Sequence, residues 1–244
     1  MGKFIEKTIH KQTEHGASAF LFDLRNSTKI TRSISYDQRL IQHVEYMKKL
    51  HKFVYSTIYG ALSTGSDKDE FAINDTGDGY LCVFWGKIHS ITCMEIAIKI
   101  RKHLYSTLPE HNDKLGDIDH KLAAGFAVHT GGVTIERINF NDRGGKLIHK
   151  DFILGILPNS VSRLESLNKI FIETDFVASG NFKSCFDEHA QVTGKAGLIN
   201  IFNVESGFVN KSPSRVNIND GKPDGHHTYT LKEEFFTEFT NNYR

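Results

Sequence analysis

The chain has 244 residues, of which 39% are hydrophobic and 24% are charged, and this balance suits one large globular domain or one domain with a tail. Its net charge of +1 provides no general attraction to nucleic acid or anionic lipid, and no apolar run approaches the roughly 18 residues of a membrane span. Three cysteines without close pairing argue against a disulfide scaffold and a zinc cluster, and the N-terminus lacks a signal peptide's apolar core, so a cytoplasmic protein is expected.

The N-terminal part of the chain is predicted to contain a short strand and two long helices. Residues 1–17 are polar and expected to be loosely held, whereas Phe20–Leu24 is an apolar strand. Ser35–Gln38 has the form of a capping box at the start of a long amphipathic helix. A second amphipathic helix, Ser90–Leu108, is expected to end at Pro109.

An acidic hairpin is predicted between these two helices, within Phe71–Phe84. Two apolar runs flank Thr76–Gly79, whose two glycines permit positive φ and a close backbone approach. If the strand that ends on Asp23 is a neighbour of this hairpin, Asp23 and Asp78 meet at one edge of a sheet. Two carboxylates that close repel each other unless cations lie between them. The sequence therefore predicts a candidate divalent-metal site, although either carboxylate could instead be a cap or turn former.

The second half of the chain alternates short strands and helices before its composition changes. The predicted elements are a strand at Lys121–His129, a turn at Thr130–Gly132, a strand at Val133–Ile138, a polar loop at 139–150, a helix at Asn159–Leu167 preceded by Pro158, a strand at Lys169–Thr174, a short helix at Asp175–Ser184 and a hairpin at Gln191–Val204. Residues 205–244 are predicted to be a tail with a small helix at Leu231–Phe239. Because the hairpins are antiparallel and the helices long, an α+β sheet with helices on one face is the expected fold.

Several of these segments together resemble the catalytic domain of class III nucleotidyl cyclases. The motifs that carry the resemblance are Phe22-Asp-Leu-Arg-Asn-Ser-Thr28, Asn74-Asp-Thr-Gly-Asp-Gly79, Gly125-Phe-Ala-Val-His-Thr-Gly131, Gly155-Ile-Leu-Pro-Asn-Ser-Val-Ser-Arg-Leu-Glu165 and Val192-Thr-Gly-Lys195. They occur in one order and span about residues 18–204. The resemblance implies a ferredoxin-like antiparallel sheet and a head-to-tail homodimer with active sites at the interface.

The resemblance also implies a reaction and a set of binding residues. The 3′-hydroxyl of a ribonucleoside triphosphate attacks its own α-phosphorus and expels pyrophosphate, which requires charge neutralisation and in-line positioning. Two divalent ions, Mn²⁺ or Mg²⁺, are the implied cofactors. By resemblance the metal ligands are Asp23, the Leu24 carbonyl and Asp78, and the phosphate-binding residues are Asn26, Ser27, Thr28 and Lys195. A solvated lysine is the alternative for the last of these.

Asn159 and Arg163 are the residues that match the family's catalytic positions. They lie one helical turn apart and share a face, where the family uses such residues to hold the ribose and to stabilise charge on the α-phosphate. The alternative is a surface arginine paired with Glu165 or Glu173. Further candidates for a phosphate contact are Arg143, Lys146 and Lys150 in the polar loop.

The positions that read the base differ from both purine sets of the family. Where enzymes that use ATP have a lysine and an aspartate or threonine, and guanylate enzymes a glutamate and a cysteine, this chain has Asn74 and Phe152. A carboxamide both donates and accepts, and a phenyl ring can only pack or stack. This pattern resembles the pyrimidine cyclases of bacterial anti-phage signalling, which favours UTP, then CTP. ATP is the fallback, because a register slip of one residue would place Asp151 at the second position.

Three function classes compete at this level. An active homodimeric cyclase is favoured over a non-catalytic nucleotide-binding module because all the expected polar positions are filled. A polymerase-like or cyclic-dinucleotide enzyme is disfavoured because the chain lacks a Gly-Gly-Asp-Glu-Phe signature and a basic channel. His129 is interpreted as structural, and no histidine is expected to have a companion at metal-ligand spacing. Cys82 and Cys93 are predicted to be buried thiols.

Overall fold

A computed structural model describes most of the chain. The described residues are 7–34, 38–63, 70–116, 118–141, 147–168, 175–195, 197–198, 201–205 and 228–231. In chain order they form β1 (Lys7–Arg25), α1 (Ser27–Ser33), α2 (Gln38–Ser63), β2 (Glu70–Asp75), β3 (Gly79–Trp85), α3 (His89–Leu115), β4 (Ala123–Asn141), β5 (Leu147–Leu154), α4 (Ile156–Asn168), β6 (Phe176–Ser179), α5 (Gly180–Val192), β7 (Phe202–Glu205) and β8 (Thr228–Leu231). Among these residues no helix is both long and apolar enough to cross a membrane.

All the described strands belong to one sheet. Their order is β2-β3-β1-β4-β6-β8-β7, and β5 pairs with the second half of β4. The β4–β6 pair is parallel, and the other described pairs are antiparallel. The predicted α+β sheet with helices is therefore confirmed, and β1 and β4 lie at its centre.

One face of the sheet carries most of the core. Phe20, Phe22 and Leu24 alternate along β1 toward this face, because successive side chains of a strand point to opposite sides. They pack against buried side chains of α1, α2, α3 and α5, among them Ile30 and Met94. At about 25 cal/mol per Å² of buried apolar surface, this aromatic-rich layer is the main source of the fold's stability.

The other face has a thinner core with smaller side chains. Ala17, Ala19 and Leu21 of β1 point toward it, and Leu157 and Val161 of α4 cover them. The expectation of helices on one face thus holds for α2, α3 and α5, whereas α4 lies on the opposite face. Small residues on the strands let this single helix approach the sheet closely.

Two predicted helices are confirmed, and one extends further than expected. Pro109 was expected to end α3, but it lies inside the helix, which continues to Leu115. A proline removes one backbone hydrogen bond of a helix. The burial of Leu108, His111 and Leu115 in the core compensates for that loss.

The strand predictions are wrong where partners are distant in sequence. The expected turn at Thr130–Gly132 lies inside β4, because β1 pairs with the residues on both sides of it. The pairing register shifts between Glu14 and Ala17 of β1, opposite these residues, as in a β-bulge. Residues 7–17 are for the same reason part of β1 rather than a loose segment. Most of the predicted capping box and the loop residues Arg143 and Lys146 lie outside the described residues. The prediction of a polar loop at 139–150 is wrong for 139–141 and 147–150, which belong to the paired strands β4 and β5.

The C-terminal predictions need the largest correction. Phe176–Ser179, expected to be helical, is the buried strand β6, which pairs with β4. The expected hairpin at Gln191–Val204 is absent, because Val192 ends α5 and Phe202–Glu205 pairs with Thr228–Leu231 from the tail. The predicted strand at Lys169–Thr174 and most of the small helix in the tail lie outside the described residues.

Candidate active site

The two predicted metal ligands lie together at the end of β1. Asp23 is the register partner of Gly79 on β3, and Asp78 immediately precedes that glycine. The backbone N–H of Leu24 donates to the Asp78 carbonyl at 3.0 Å, which fixes the turn against the strand end. Both aspartates are partly exposed. The structure thus brings both carboxylates to one edge of the sheet that solvent can reach.

The hairpin tip requires its glycines. A Cβ on Gly79 would lie 2.1 Å from the Phe22 carbonyl oxygen, so only glycine allows β1 and β3 to approach this closely. Gly77 has φ of 97°, a conformation that side chains disfavour, and its N–H donates to Asp75 Oδ1 at 2.7 Å. The backbone of the tip is therefore well defined, and Asp78 has a defined position relative to Asp23.

The donors at this edge fit a hard divalent cation. Asp23 and Asp78 have carboxylate oxygens, and Leu24 has a backbone carbonyl at the same strand end. Oxygen ligands of this kind suit Mg²⁺ and Mn²⁺, whereas sulfur and imidazole donors suit softer metals. By donor type, these residues fit the cofactors that the sequence implies.

A short helix begins directly after the acidic edge. Asn26 has φ of 66°, and its side-chain Nδ2 donates to the Lys121 carbonyl at 2.9 Å. This left-handed residue turns the chain from β1 into α1, so that Ser27 and Thr28 form the first turn of that helix. Ser27 is buried and Thr28 is exposed. Three of the four residues predicted to bind phosphate therefore lie at the start of α1, directly after the acidic edge.

The predicted catalytic pair lies on the exposed side of α4. Asn159 and Arg163 are both exposed, while Leu157, Val161 and Leu164 of the same helix are buried against the sheet. Asn159 Nδ2 donates to the Gly155 carbonyl at 3.0 Å. The two side chains share one face of the helix, as the sequence predicts.

Charged groups connect α4 to the strand that carries Asp23. A Cβ on Gly125 would lie 2.7 Å from Glu165 Oε1 and 2.8 Å from Arg25 Nη2, so the carboxylate and the guanidinium both lie beside this glycine. Glu165 is 3% exposed and so is not a surface residue, and Glu173, the other partner considered for Arg163, lies outside the described residues. The C-terminal half of α4 and the end of β1 therefore both lie beside Gly125.

The two predicted base-reading residues occupy different surroundings. Asn74 is partly buried on β2 and shares a face with Ala72, which packs in the thinner core beneath α4. Phe152 is 39% exposed on β5, and Lys150 Nζ lies 5.4 Å above its ring. Ile153 packs against the thinner core, so Phe152 points to the opposite side of its strand.

Asp151, the alternative to Phe152, shares the side of Ile153. Its carboxylate accepts two hydrogen bonds from Arg137, at 2.7 and 3.0 Å, across the β4–β5 pair. These bonds raise the pKa of Arg137. The alternation of the strand therefore places Asp151, rather than Phe152, on the face of the sheet that α4 covers.

Lys195 does not lie with the other predicted site residues. It follows the end of α5, and its Nζ contacts Glu95 Oε1 on α3 at 2.9 Å. Both helices cover the thick core, on the face opposite α4. The structure thus brings together Asp23, Leu24 and Asp78, but it places Lys195 among the helices of the other layer. A groove of about 580 Å³ between α2 and α3, lined by residues such as Phe53 and Lys99, also contains none of the predicted site residues.

Sequence reasoning missed one group of polar side chains. His89, Cys185 and His189 place one ligand atom each within 4.8 Å of one another. The expectation that no histidine has a companion at ligand spacing is therefore wrong. Cys185 and His189 are four residues apart on one helix, a signal visible in the sequence, but His89 reaches them only through the fold. Cys82 and Cys93 are buried thiols as predicted.

Solved structures of nucleotide cyclases share this fold. The adenylyl cyclase CyaB from P. aeruginosa superposes with a TM-score of 0.55 at 15% identity, covering 92% of this chain and 97% of that one. The guanylyl cyclase Cya2 has a TM-score of 0.51 at 15% identity, with 92% and 94% covered. A bacterial light-regulated adenylyl cyclase has a TM-score of 0.53 at 16% identity, with 96% of this chain and 58% of that one covered.

At such low identity these likenesses concern the fold alone. The sequence matches no protein-family model, and it matches none of the curated proteins with which it was compared. The chain therefore has the α+β fold of adenylyl and guanylyl cyclase domains, as its motifs predict. Its own residues must carry the argument about activity.

Proposed function

We propose that the protein is a nucleotidyl cyclase that converts a ribonucleoside triphosphate to its 3′,5′-cyclic monophosphate and pyrophosphate. UTP is the favoured substrate and CTP the next. The observation that carries the proposal is the convergence of Asp23, Leu24 and Asp78 at one strand end, where Gly79 permits the close approach. A carboxylate pair on a solvent-accessible sheet edge suits triphosphate chemistry, which needs bound cations more than a covalent nucleophile.

The acidic edge would hold Mg²⁺ or Mn²⁺ through the two carboxylates and the Leu24 carbonyl. When bound there, two such ions supply activation of the 3′-hydroxyl and neutralisation of the phosphate charge. The backbone N–H groups at the start of α1 follow Asp23 directly in the chain and can donate to phosphate oxygens. Asp23 and Asp78 thus position the triphosphate end of the substrate.

Arg163 and Asn159 would complete the site from a second protomer. Leu157, beside them on α4, lies near Gly131, and Gly131 is six strand positions from Gly125, the register partner of Asp23. At ~3.3 Å per residue this separates the Asn159 end of α4 from the acidic edge by about 20 Å. This span exceeds the distance from an α-phosphate to its own ribose, so Asn159 is unsuited to hold the ribose of a nucleotide bound at the acidic edge of its own chain. Arg163 is closer to that edge, two residues from Glu165 beside Gly125, and is assigned to the second protomer by the resemblance.

A homodimer is supported by apolar side chains next to these residues. Leu154 and Ile156 are more than half exposed, and they flank Gly155 just before Asn159. Burying such side chains against a second copy is favourable, and a two-fold dimer would bring each acidic edge to the α4 of the partner. In that arrangement the guanidinium stabilises charge on the α-phosphate and the carboxamide holds the ribose.

The base preference follows from the absence of both purine sets. Asn74, on the face that α4 covers, can donate to and accept from a pyrimidine edge. The pattern also supports a role as a second-messenger synthase in anti-phage defence, by resemblance to the pyrimidine cyclases. ATP is the alternative after these two pyrimidine nucleotides, because Asp151 shares the side of Ile153 that faces the thinner core while Phe152 points away.

The test is incubation of the purified full-length chain with each of the four ribonucleoside triphosphates and Mn²⁺, followed by mass spectrometry of the products. We expect a cyclic monophosphate and pyrophosphate in equal amounts, from UTP first. A parallel preparation of Asp78→Asn controls for a contaminating cyclase. Cyclic AMP as the main product would favour the Asp151 alternative. Nucleotide binding without any cyclic product would overturn the proposal in favour of a non-catalytic module.

A further inference from the structure

A second cluster of metal-binding side chains lies where the start of α3 meets α5. Cys185 Sγ is 3.9 Å from His89 Nε2 and 3.9 Å from His189 Nε2. The two imidazole rings are nearly perpendicular, at 86°, with their centroids 4.8 Å apart. Two nitrogens and one sulfur therefore lie close together, in a part of the fold that the proposed reaction does not use.

A serine hydroxyl contacts Nδ1 of each of the two histidines. His89 Nδ1 is 2.9 Å from Ser18 Oγ, and His189 Nδ1 is 2.7 Å from Ser90 Oγ. Metal-bound histidines characteristically use the other ring nitrogen in such a hydrogen bond, which fixes the ring. Each serine thus contacts one ring nitrogen and leaves the other for a metal. The Cys185 sulfur lies 3.9 Å from both nitrogens of His189, so this ring must turn for its Nε2 to face the ion. Ser18 is itself fixed by Thr130 Oγ1 at 2.7 Å.

The distances are near those of a tetrahedral zinc site. With zinc–nitrogen bonds of about 2.0 Å and a zinc–sulfur bond of about 2.3 Å, a tetrahedral ion separates its nitrogen and sulfur ligands by roughly 3.6 Å. The observed 3.9 Å is close to that value, and the three ligand atoms, which lie within 4.8 Å of one another, must draw together around the ion. Two imidazoles and one thiolate are softer donors than the carboxylates of the acidic edge, so they favour Zn²⁺ over Mg²⁺ or Mn²⁺.

We propose that His89, Cys185 and His189 form a zinc site that fastens α5 to α3 and, through Ser18, to β1. Cys185 and His189 are partly exposed, so the fourth position of the tetrahedron faces solvent and takes a water molecule. Binding replaces the thiol proton of Cys185, which is released to solvent, and both imidazoles bind as neutral bases. The ion joins segments 96 residues apart in sequence and so stabilises the folded chain.

The test titrates the purified chain, freed of metal by a chelator, with ZnCl₂ and separately with CoCl₂, in the absence of nucleotide. We expect one zinc per chain, a higher melting temperature with zinc, and no such rise with MgCl₂. Cobalt reports the ligands directly, because thiolate binding produces a charge-transfer band in the near ultraviolet. Because no substrate is present, failure of this experiment does not affect the cyclase proposal. Equally, a protein that makes no cyclic nucleotide could still bind zinc at this site.

Variants separate this site from adventitious binding by the other histidines. Cys185→Ser should weaken zinc binding at least ~100-fold and abolish the cobalt charge-transfer band. Ser90→Ala should weaken it roughly 10-fold, because it frees the ring of His189 without removing a ligand. His103→Gln, on the same α3 but outside the cluster, should bind zinc normally. Absence of the thiolate band in the unaltered chain, or equal affinity in Cys185→Ser, would overturn the proposal; the first result needs no variant to fold.

Discussion

The two faces of the central sheet have different compositions and different tasks. The face covered by α1, α2, α3 and α5 is filled with large rings such as Phe20, Phe22 and Phe126. The face covered by α4 is lined by alanines, branched side chains and Trp85, and Asp23 lies on the same side of β1, at the end of the strand. The thick apolar layer stabilises the fold. The thin layer leaves one end of the sheet open, and the candidate active site lies there.

The largest effect is expected at Asp78, in the hairpin turn at the acidic edge. Asp78→Asn should lower the cyclisation rate by roughly 10³-fold or more, because an amide is a poor ligand for a hard cation. The melting temperature should stay within a few degrees, since Asp78 is outside the core. The measurement is steady-state cyclic nucleotide production beside thermal unfolding.

Asp75→Asn is the matched control for that variant. Asp75 lies in the same turn, and its Oδ1 accepts the Gly77 N–H at 2.7 Å, a bond that an asparagine oxygen can keep. Its rate should therefore change by much less than that of Asp78→Asn. Equal losses in both variants would mean that the turn's structure, and not a metal ligand, is responsible.

Neighbouring residues of β1 allow the two faces to be compared directly. Phe22 and Leu21 point to opposite sides of the same strand and are 0% and 9% exposed. Phe22→Ala should lower the free energy of unfolding by about 3–5 kcal/mol, and Leu21→Ala by about 2–3 kcal/mol, because the larger ring leaves the larger cavity. Urea unfolding measures both. A larger loss for Leu21→Ala would contradict the assignment of the thick face as the main source of stability.

A mixture of two inactive variants tests whether the two halves of the site come from different chains. Arg163→Ala should reduce the rate by roughly 10²–10³-fold, since it removes charge stabilisation from the α-phosphate. Mixed with Asp23→Ala, it should recover about a quarter of the wild-type rate, because half of the dimers are then mixed and each contains one intact site. A mixture no more active than its components would argue that each chain builds its own site.

The smallest expected effect is a pH dependence of stability, which arises from a histidine pair between α2 and α3. His43 Nδ1 lies 3.1 Å from His111 Nε2 between α2 and α3, and burial, together with His43, lowers the pKa of His111 to about 4. An unfolded histidine has its pKa near 6.5, so between these values the unfolded chain binds the additional proton. Stability should therefore be full above pH 6.5 and decline as the pH falls toward 4, by about 1 kcal/mol at pH 5 after allowance for solvent screening.

Urea unfolding at pH 7 and pH 5 measures this decline. His111→Gln should unfold with a smaller difference between the two pH values, because the proton-binding group is gone. If the difference is as large in the variant as in the unaltered chain, other groups are responsible for the acid sensitivity.

Local patterns predicted the parts of the fold whose contacts are close in sequence. The hairpin around Gly77 and Gly79 is confirmed because turn chemistry and flanking apolar runs specify it within fourteen residues. The amphipathic period of α2 and the Pro158 start of α4 are likewise local signals. That Asp23 lies beside Asp78 could be predicted only on the assumption that β1 pairs with β3, and the sequence does not show this pairing.

Predictions failed where pairing is between distant segments. The strand β6 was mistaken for a helix because a segment of only four residues has no reliable period, and its partners are β4 and the tail strand β8. Lys195 has a suitable motif, yet its neighbour Glu95 lies on another helix one hundred residues earlier. No short-range pattern contains that information.

The sequence by itself determined the motifs, their order and therefore the α+β class, because glycines, carboxylates and hydrophobic periods act over a few residues. Only the tertiary structure decided which strands meet, which face α4 covers and that His89 joins Cys185 and His189. The physical reason is that such contacts join residues distant in sequence and form only when the chain buries its apolar surface. Which strand pairing buries the most apolar surface depends on the complete sheet and not on any short segment.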